Sequence, residues 1–492
     1  MNNLRSAAAL AALICAGNTL AHAQTQSATQ ALTNTQQRIH KIESCIPQPV
    51  IVAGEPRTCS TLTQKMAEFH VPGVSVAVIH DGKIEWARGY GVKQIGGEPV
   101  TANTLFQAGS ISKPVAAMAA LRQVQLGKVT LDGNVNNWLT SWKVPPSSAA
   151  PGAVVTLREL LTHTAGFTVH GFEGYAANAP VPSLVQVLDG EKPANSDPIR
   201  LESPPRDHWN YSGGGFTVMQ QLMIDVTKEP FAKLLHDTVL GPIGMTHSTY
   251  DQPLPAPLRS AAAVPYRADG TPVEGGAHTY PELAAAGLWT TPSDLARYVI
   301  ENQKSLKGLA NHVLSQAMTQ QMMTPGMGSW GLGVEVGGSP SDPYFRHNGA
   351  NEGFQDLFIG YEHSGEGAVV MTNVDGGLGL ANALLRSIAV AYGWPDFQPT
   401  AHTMVKVPSN TLARYVGTYA VSPDFSLVVT LEGDQLFSQA SNQDKIPVFP
   451  ESPTKFFFKV VDAQIEFFPD AQGKVSRLIL YQNGRQLSAT KK

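Results

Sequence analysis

The stretch Ser110-Ile111-Ser112-Lys113 has the pattern S-x-x-K and opens a segment of strong helix propensity. On a helix, residues three positions apart share a face, so the amine of Lys113 would lie beside the hydroxyl of Ser110. A serine hydroxyl becomes a nucleophile when a nearby base removes its proton, and a lysine can be that base when burial lowers its pKa. The stretch therefore indicates covalent acyl transfer by a serine, with no metal and no other cofactor.

The residues around this stretch favour a strand that turns into a helix. An apolar segment ends at Gly109, which supplies a flexible turn, and helix-forming residues follow from Pro114 to Leu121. A proline in the first turn is tolerated because the first N–H groups of a helix have no partner within it. We expect the helix to end near Gly127. A purely structural alternative makes Ser110 an N-cap and Lys113 a solvated charge, and spacing alone does not choose between the two.

The same spacing occurs twice more, so the pattern by itself is weak. Ser452-Pro453-Thr454-Lys455 continues into a strand-like aromatic segment, and Ser488-Ala489-Thr490-Lys491 is expected to be a frayed end of the sequence. Neither opens a helix, and we interpret both as chance matches.

Residues 1–23 are predicted to be a secretory signal peptide. Arg5 precedes an apolar segment that is too short to span a membrane, and Ala21-His22-Ala23 matches a cleavage site. We therefore expect a secreted or periplasmic protein without a membrane span. Loss of Arg5 from the 35 basic residues, against 39 acidic ones, gives a net charge of −5. This charge argues against a nucleic-acid partner and favours a small-molecule or peptide substrate, while the oligomeric state is left open.

Two cysteines, Cys45 and Cys59, remain after the predicted cleavage. An even number of cysteines in an oxidising compartment favours a disulfide, which would stabilise the intervening loop by about 3 kcal/mol. The alternative is a pair of free buried thiols.

The order of predicted elements indicates an α+β fold followed by a small β domain. Val74–Ile79 and Ile84–Tyr90 favour a hairpin, and helical and loop-rich segments fill the middle of the chain. Later strands are predicted at Trp330–Val336, Phe345–His347, Asp356–Ile359 and Ala368–Thr372. One antiparallel sheet flanked by helices, with a separate all-helical region, accounts for this order.

From about residue 410 the chain becomes rich in strands and favours a small antiparallel barrel or half-barrel. The predicted divisions are the signal peptide at 1–23, an extension with the disulfide loop at 24–60, a main domain at 61–395 and a β domain at 405–492.

Two downstream motifs are candidates for chemistry. Tyr211 precedes Ser212 and three glycines, Gly213 to Gly215, and a tyrosine in such a loop can relay protons while glycines let a backbone approach a ligand. The alternative is a buried tyrosine beside a flexible helix start. His347-Asn348-Gly349 lies on a predicted strand, although H-x-G alone carries little information.

Other hydrolase patterns are missing from the sequence. It contains no G-x-S-x-G, which argues against an α/β-hydrolase, and no H-E-x-x-H or compact His/Cys/acid cluster, which argues against a zinc hydrolase. The 14 scattered histidines leave open a metal site assembled in three dimensions.

Taken in order, Ser110-x-x-Lys113, Tyr211-Ser212-Gly213 and His347-x-Gly349 resemble the penicillin-recognising serine hydrolases. That family includes class C β-lactamases, D-alanyl-D-alanine carboxypeptidases, D-aminopeptidases and β-lactamase-like esterases. Three flanking stretches resemble it as well: Leu160–Phe167, Gly241–Ser248 and Ala286–Ala296. The resemblance covers roughly residues 60–390, and the last eighty residues or so resemble the lipocalin-like β domain of some members.

The resemblance implies a β-lactamase-like fold and a role for each motif. Ser110 would attack a carbonyl and become acylated, and Lys113 and Tyr211 would act as a coupled base and acid. His347 would stand where many relatives have a lysine, on the strand that lines the cleft. The backbone N–H groups of Ser110 and of Ala350, which follows Gly349, would form the oxyanion hole.

Two departures from the family pattern bear on the substrate. Gly213 replaces a common asparagine, so no side-chain amide there can hold a substrate amide or stabilise deacylation. His347 replaces a permanent cation, which would weaken the binding of a substrate carboxylate. The sequence therefore favours hydrolysis of a D-amino-acid peptide or ester. The alternatives are a class C-type β-lactamase and a penicillin or peptidoglycan sensor with little turnover.

Overall fold

A computed structural model describes residues 32–482 and 485–492 of the chain. The predicted signal peptide lies outside the described residues. The described residues divide into two compact units. Residues 32–36 and Thr63–Asn382 form one, and Gln37–Leu62 with the described residues of Ala383–Lys492 form the other. We refer to them as the catalytic unit and the barrel unit.

The described strands before the barrel are β1 (Ile46–Pro47), β2 (Val50–Val52), β3 (Cys59–Ser60), β4 (Gly73–His80), β5 (Lys83–Gly91), β6 (Phe106–Gln107), β7 (Trp289–Thr290), β8 (Glu335–Ser339), β9 (Asp342–Asn351), β10 (Phe354–Tyr361), β11 (Gly367–Thr372) and β12 (Thr400–His402). The described helices are α1 (residues 32–44), α2 (Leu62–Glu68), α3 (Ser112–Gln125), α4 (Leu157–Leu161), α5 (Leu184–Asp189), α6 (Gly213–Thr227), α7 (Phe231–Leu235), α8 (Leu283–Ala286), α9 (Pro292–Leu306), α10 (Gln316–Met323), α11 (Leu378–Tyr392) and α12 (Ser409–Leu412).

The catalytic unit is built on an antiparallel sheet with the order β5-β4-β11-β10-β9-β8. The predicted hairpin is confirmed as β4 and β5, and the later strands are confirmed as β9, β10 and β11. The predicted strand Trp330–Val336 is wrong in its first half, because β8 begins only at Glu335. Gly333 has a φ of +93°, which an extended strand does not adopt, and it places Trp330 in a loop.

Helix α3 is the centre of the helical region. Its residues are buried on every side from Ser112 to Leu121, as expected of a helix that other elements surround. It packs against α6, α7 and α8, while α9 covers β4, β5, β10 and β11. The α+β arrangement predicted from the sequence is confirmed.

The barrel unit ends in a closed antiparallel barrel. Its strands are β13 (Gly417–Ala420), β14 (Ser426–Glu432), β15 (Gln435–Ala440), β16 (Lys445–Pro450), β17 (Lys455–Phe458), β18 (Ala463–Pro469), β19 (Val475–Gln482) and β20 (Arg485–Lys491). The barrel interior is filled by apolar and aromatic side chains, among them Tyr419, Phe456 and Ile465, each fully buried. The predicted β domain is confirmed, although the sequence did not indicate β16, which contains Pro447 and Pro450.

Cys45 and Cys59 form the expected disulfide, with their Cα atoms 5.0 Å apart. Among residues 32–482 and 485–492, no helix is both long enough and apolar enough to cross a membrane.

Candidate active site

Ser110 and Lys113 meet at the start of α3. Residues Gly109–Ile111 form one turn of 3-10 helix that continues directly into α3, and no side chain caps either helix start. The Lys113 Nζ donates hydrogen bonds to the Ser110 Oγ at 3.0 Å and to the Ala285 carbonyl of α8 at 2.9 Å. Lys113 is only 2% exposed. The alternative of an N-capping serine and a solvated lysine is therefore wrong.

Burial also changes the charge of the lysine. The loss of hydration lowers the pKa of Lys113 to about 7, because a buried ammonium is costly. A substantial fraction of Lys113 is therefore a neutral amine near pH 7, with a lone pair available to the Ser110 hydroxyl.

Tyr211 is a second hydrogen-bond partner of Ser110. Its hydroxyl is hydrogen-bonded to Ser110, and the Lys113 Nζ lies 5.0 Å from the centroid of its ring. Burial raises the pKa of Tyr211 well above its usual value, so the phenol keeps its proton at neutral pH. The two partners of Ser110 thus differ in their protonation: Lys113 can accept a proton and Tyr211 can donate one.

The three glycines after Ser212 do not face a ligand. Ser212 caps α6 by accepting a hydrogen bond from the Gly215 N–H at 2.9 Å, and the glycines form the buried first turn of that helix. A Cβ on Gly213 would lie 3.0 Å from the Phe172 ring, and one on Gly214 would lie 2.7 Å from the Thr168 carbonyl oxygen. The prediction that these glycines let the backbone approach a ligand is wrong for Gly213 and Gly214, because the space beside them is filled by residues 168–172.

Two other glycines bring the backbone of Ser110 beside strand β9. A Cβ on Gly109 would lie 2.6 Å from the Ala350 nitrogen, and one on Gly349 would lie 2.0 Å from the Ala108 carbonyl oxygen. Neither position accepts a side chain without movement of the backbone. The close approach places the main chain of Ala350 next to that of Ser110, the arrangement that a pair of oxyanion-binding N–H groups requires.

His347 lies on β9 among the same groups. Its ring centroid is 6.3 Å from that of Tyr211 and 5.2 Å from that of Trp330, and the residue is 4% exposed. Burial and the positive charge of Lys113 lower the pKa of His347 to about 3, so the imidazole is neutral at pH 7. The ring that β9 presents beside Tyr211 is therefore buried and uncharged.

Sequence reasoning missed the aromatic residues that hold Tyr211. His163 packs on Tyr211 with ring centroids 4.3 Å apart, and its Nδ1 accepts the Ser212 N–H at 3.1 Å. Trp330 contacts His163 at 4.9 Å and stacks on Trp209 at 5.8 Å. His163 belongs to the stretch Leu160–Phe167, which carried the family resemblance but no assigned role.

His163 also has a φ of +58°, a left-handed conformation that is uncommon for residues other than glycine and that often marks a functional site.

Ser112, the second serine of the S-x-x-K stretch, has a structural role. Its Oγ donates to the Gly109 carbonyl at 2.6 Å and accepts from the Leu288 N–H at 2.9 Å. Tyr250 donates to the Ser112 carbonyl at 2.7 Å. Ser112 therefore fixes the turn that presents Ser110.

A cavity of about 540 Å³ lies beside the end of β9, where Glu352 is one of its lining residues. Two hydrogen bonds connect the end of β9 to His278, which also lines this cavity. Asn351 donates to the Gln107 Oε1 at 3.0 Å, and Gln107 donates to the His278 carbonyl at 2.7 Å. Arg267 lines the cavity and is paired with Glu352 and Asp375. Its charge is thus already opposed by two carboxylates.

Comparison with known proteins gives two family matches. Residues 60–393 match the family model described as Beta-lactamase, and residues 401–491 match a domain of unknown function, DUF3471.

The chain is similar to several curated proteins. It is 22% identical to penicillin-binding protein 4* of Bacillus subtilis, over 88% of this chain and 97% of that protein. It is 28% identical to esterase EstB of Burkholderia gladioli, over 44% of this chain and 55% of that one. Identity to a beta-lactamase of Pseudomonas fluorescens is 29%, over 50% of this chain and 64% of that enzyme.

Solved structures share the fold at low identity. The octameric penicillin-binding protein homologue from Pyrococcus abyssi has a TM-score of 0.59 and 20% identity, covering 87% of this chain and 98% of that one. D-alanine carboxypeptidase AmpC from Burkholderia cenocepacia has a TM-score of 0.52 and 23% identity, covering 66% of this chain and 96% of that one.

Proposed function

Because this chain belongs to the Beta-lactamase family of serine hydrolases, we propose that it cleaves an ester or amide bond of a D-amino-acid peptide or ester through an acyl-enzyme on Ser110. The observation that carries this proposal is the 3.0 Å hydrogen bond between the Lys113 amine and the Ser110 hydroxyl. With a pKa of about 7, Lys113 can accept the serine proton under ordinary conditions.

In the first half of the reaction, the neutral amine of Lys113 takes the proton of Ser110 as the Ser110 oxygen bonds to the substrate carbonyl carbon. The backbone N–H groups of Ser110 and Ala350 would hold the resulting oxyanion. When the tetrahedral intermediate collapses, the bond to the leaving group breaks and Tyr211 donates its proton to that group. The Lys113 ammonium then returns a proton to Tyr211, so both side chains end in their starting states.

In the second half, a water molecule attacks the acyl carbon and loses a proton to the Lys113 and Tyr211 pair. The Ser110 oxygen leaves and takes that proton back. The acid is released and the enzyme is restored.

The substrate preference follows from the charges around the site. His347 is buried and neutral, Gly213 offers no side-chain amide, and Arg267 is already paired with Glu352 and Asp375. The neutral His347 and the paired Arg267 give a substrate carboxylate little electrostatic attraction. Gly213 offers no side-chain amide to hold a substrate amide or to stabilise deacylation, so the site favours an uncharged ester over a β-lactam. The relatives named as an esterase and as a penicillin-binding protein fit the same chemistry.

A panel of three acylating substrates tests the function: a short-chain p-nitrophenyl ester, a peptide ending in D-Ala-D-alaninamide, which has no terminal carboxylate, and nitrocefin. Intact-mass measurement follows the adduct on the protein, and absorbance or product analysis follows turnover. We expect a transient adduct and turnover with the ester or the peptide, and slow turnover of nitrocefin. Rapid nitrocefin hydrolysis would favour a β-lactamase, and a nitrocefin adduct that persists for hours without turnover of any substrate would favour a sensor.

The pH dependence of the reaction gives a second prediction. Below about pH 7, Lys113 gains a proton and can no longer act as the base, so kcat/KM should fall about tenfold per pH unit on the acidic side. His347, with a pKa of about 3, stays neutral throughout this range and adds no second inflection. A profile of ester hydrolysis from pH 5 to pH 9.5 checks this expectation. A rate that does not fall between pH 7 and pH 5 would contradict the role of Lys113.

We also propose that the protein is exported to an oxidising compartment, which the Cys45–Cys59 disulfide favours. The proposed domain limits are 61–395 for the hydrolase and 405–492 for the barrel, close to the two family matches.

A further inference from the structure

The cavity of about 540 Å³ lies beyond the end of β9, past the groups that act on the reacting bond. Tyr211, the proposed proton donor to the leaving group, packs beside His347 with ring centroids 6.3 Å apart. Ala350, proposed to hold the carbonyl oxygen, comes three residues after His347, and Glu352 of the cavity wall comes two residues after Ala350. Two residues span at most about 7 Å. The cavity is therefore close to the acyl part of a substrate and on the opposite side from the leaving group.

The edge of β9 that leads to the cavity is open. β8 pairs with β9 only as far as Arg346, and no other described strand pairs with that edge of the residues that follow. Ala350 is exposed, whereas its neighbours Gly349 and Asn351 are buried. An acyl group bound at Ala350 can therefore extend along the strand toward the cavity.

The cavity wall combines apolar surface with charged side chains. Its apolar part is formed by Tyr175, Ala176, Ala179, Pro180 and Pro193. Its charged residues are Glu173, Glu352 and Arg267. The volume is typical of small-molecule sites, which occupy about 300–1,000 Å³. The cavity can therefore enclose the alkyl stem of a side chain and meet a charge at the end of that stem.

The balance of charge in the cavity favours a cation. Arg267 is paired with both Glu352 and Asp375, so two carboxylates share one guanidinium. Glu173 adds a third carboxylate, which has no ion-pair partner among the described residues. Three carboxylates against one guanidinium leave this region negative. An ammonium group would be attracted there, and a substrate carboxylate would be repelled.

Hydrogen bonds hold the two glutamates of the wall in place. The Tyr280 hydroxyl donates to the Glu173 carbonyl at 3.2 Å and accepts from the Glu352 N–H at 3.1 Å. The His278 Nδ1 donates to the same Glu173 carbonyl at 2.8 Å. Within the part of the chain that the structure describes, no three acidic or histidine side chains of this cavity lie close enough to share a metal ion. The preformed wall suits an organic cation, which would bind with little ordering of the protein.

We propose that this cavity binds a primary ammonium group at the end of an alkyl chain on the acyl part of the substrate, so the enzyme selects D-amino-acid esters and peptides with a lysine-like side chain. This inference rests on the proposed function. An ammonium offers three N–H donors, which the carboxylates of Glu173 and Glu352 can accept. The four-carbon stem of such a side chain would pack on the apolar wall and span the short distance from Ala350.

Two matched pairs of methyl esters test the proposal. The first pair is the esters of N-acetyl-D-lysine and N-acetyl-D-norleucine, which have the same four-carbon stem with and without the amine. The second pair places the D-lysine or D-norleucine one residue earlier, before a D-alanine methyl ester, and so gives the amine a longer reach. We expect kcat/KM for the lysine ester to exceed that for the norleucine ester about tenfold in at least one pair. Chromatography of the released acid measures both rates.

Variants with opposite expected effects separate charge from structure. Glu173→Gln and Glu352→Gln each remove a carboxylate and should lower this ratio about threefold or more. Arg267→Gln removes the guanidinium and should raise the ratio, whereas a mere loss of wall structure would lower it in all three variants. Glu229→Gln, at a surface carboxylate paired with Lys233 outside the cavity wall, should keep the parental ratio. Glu173 is exposed, so Glu173→Gln keeps the test decisive if Glu352→Gln folds poorly.

The outcomes separate this inference from the function on which it rests. A ratio near one in both pairs, or an unchanged ratio in both glutamate variants, overturns the inference. If Ser110→Ala abolishes hydrolysis of the norleucine esters in the same experiment, the proposed function stands without it. If Ser110→Ala still hydrolyses the esters, the proposed function fails and the inference fails with it.

Discussion

Replacing Ser110 with alanine is expected to lower kcat/KM for a p-nitrophenyl ester by about 10⁴-fold or more and to abolish the covalent adduct. The Ser110 Oγ is the nucleophile of the proposed mechanism, and both Lys113 and Tyr211 are hydrogen-bonded to it. Without it the remaining groups can bind the ester and polarise its carbonyl, but no bond to the enzyme can form. Initial rates and intact-mass spectra of the parent and variant proteins measure both effects.

The chain supplies its own matched control. Ser488 has the same S-x-x-K spacing but lies exposed on strand β20 of the barrel, so Ser488→Ala should have parental activity. A Ser110→Ala protein that is folded, as judged by circular dichroism, and still gives an adduct would place the nucleophile elsewhere. Equal losses in the two variants would also contradict the assignment.

Local patterns were sufficient to predict the part of the site that lies within one helical turn. Ser110 and Lys113 are three residues apart, and helix geometry alone brings their side chains together. The β4–β5 hairpin is local in the same sense, because its turn at Asp81 and Gly82 joins two strands with strand-like composition. In both cases, residues that are close in the sequence are also close in the structure, so their spacing alone predicts the contact.

The surroundings of Tyr211 could not be predicted in this way. His163 and Trp330 pack on that ring from positions 48 residues before it and 119 residues after it in the sequence. Their contact depends on how α4, α6 and the loop before β8 pack together, and no periodic pattern within a short stretch of sequence predicts that packing. The role of Gly213 and Gly214 was predicted wrongly for a related reason. A glycine permits the close approach of any group, and in the structure the approaching groups are Phe172 and Thr168.

The Lys113→Met variant is expected to lose activity and gain stability together. Without the amine, Ser110 keeps its proton, and kcat/KM should fall by about 10³-fold. The unfolded chain binds a proton at a lysine pKa near 10.5, whereas in the folded protein the pKa of Lys113 is about 7. The unfolded state therefore holds more protons between these two values, and the parent protein becomes more stable as the pH rises through that range.

Methionine has a similar length and no proton to lose, so the stability of the variant should lack this pH dependence. At pH 7 its free energy of unfolding should exceed that of the parent, and this advantage should shrink by about 3 kcal/mol between pH 7 and pH 9.5. Urea unfolding followed by tryptophan fluorescence at the two pH values measures the change. Lys455, the lysine of the S-x-x-K match at 452–455, has its Nζ 5.5 Å from the centroid of the Tyr481 ring in the barrel. Lys455→Met should therefore change neither activity nor the pH dependence. A Lys113→Met protein with no pH-dependent advantage would mean that the lysine is charged in the folded state. In that case Tyr211, and not Lys113, would have to remove the proton from Ser110.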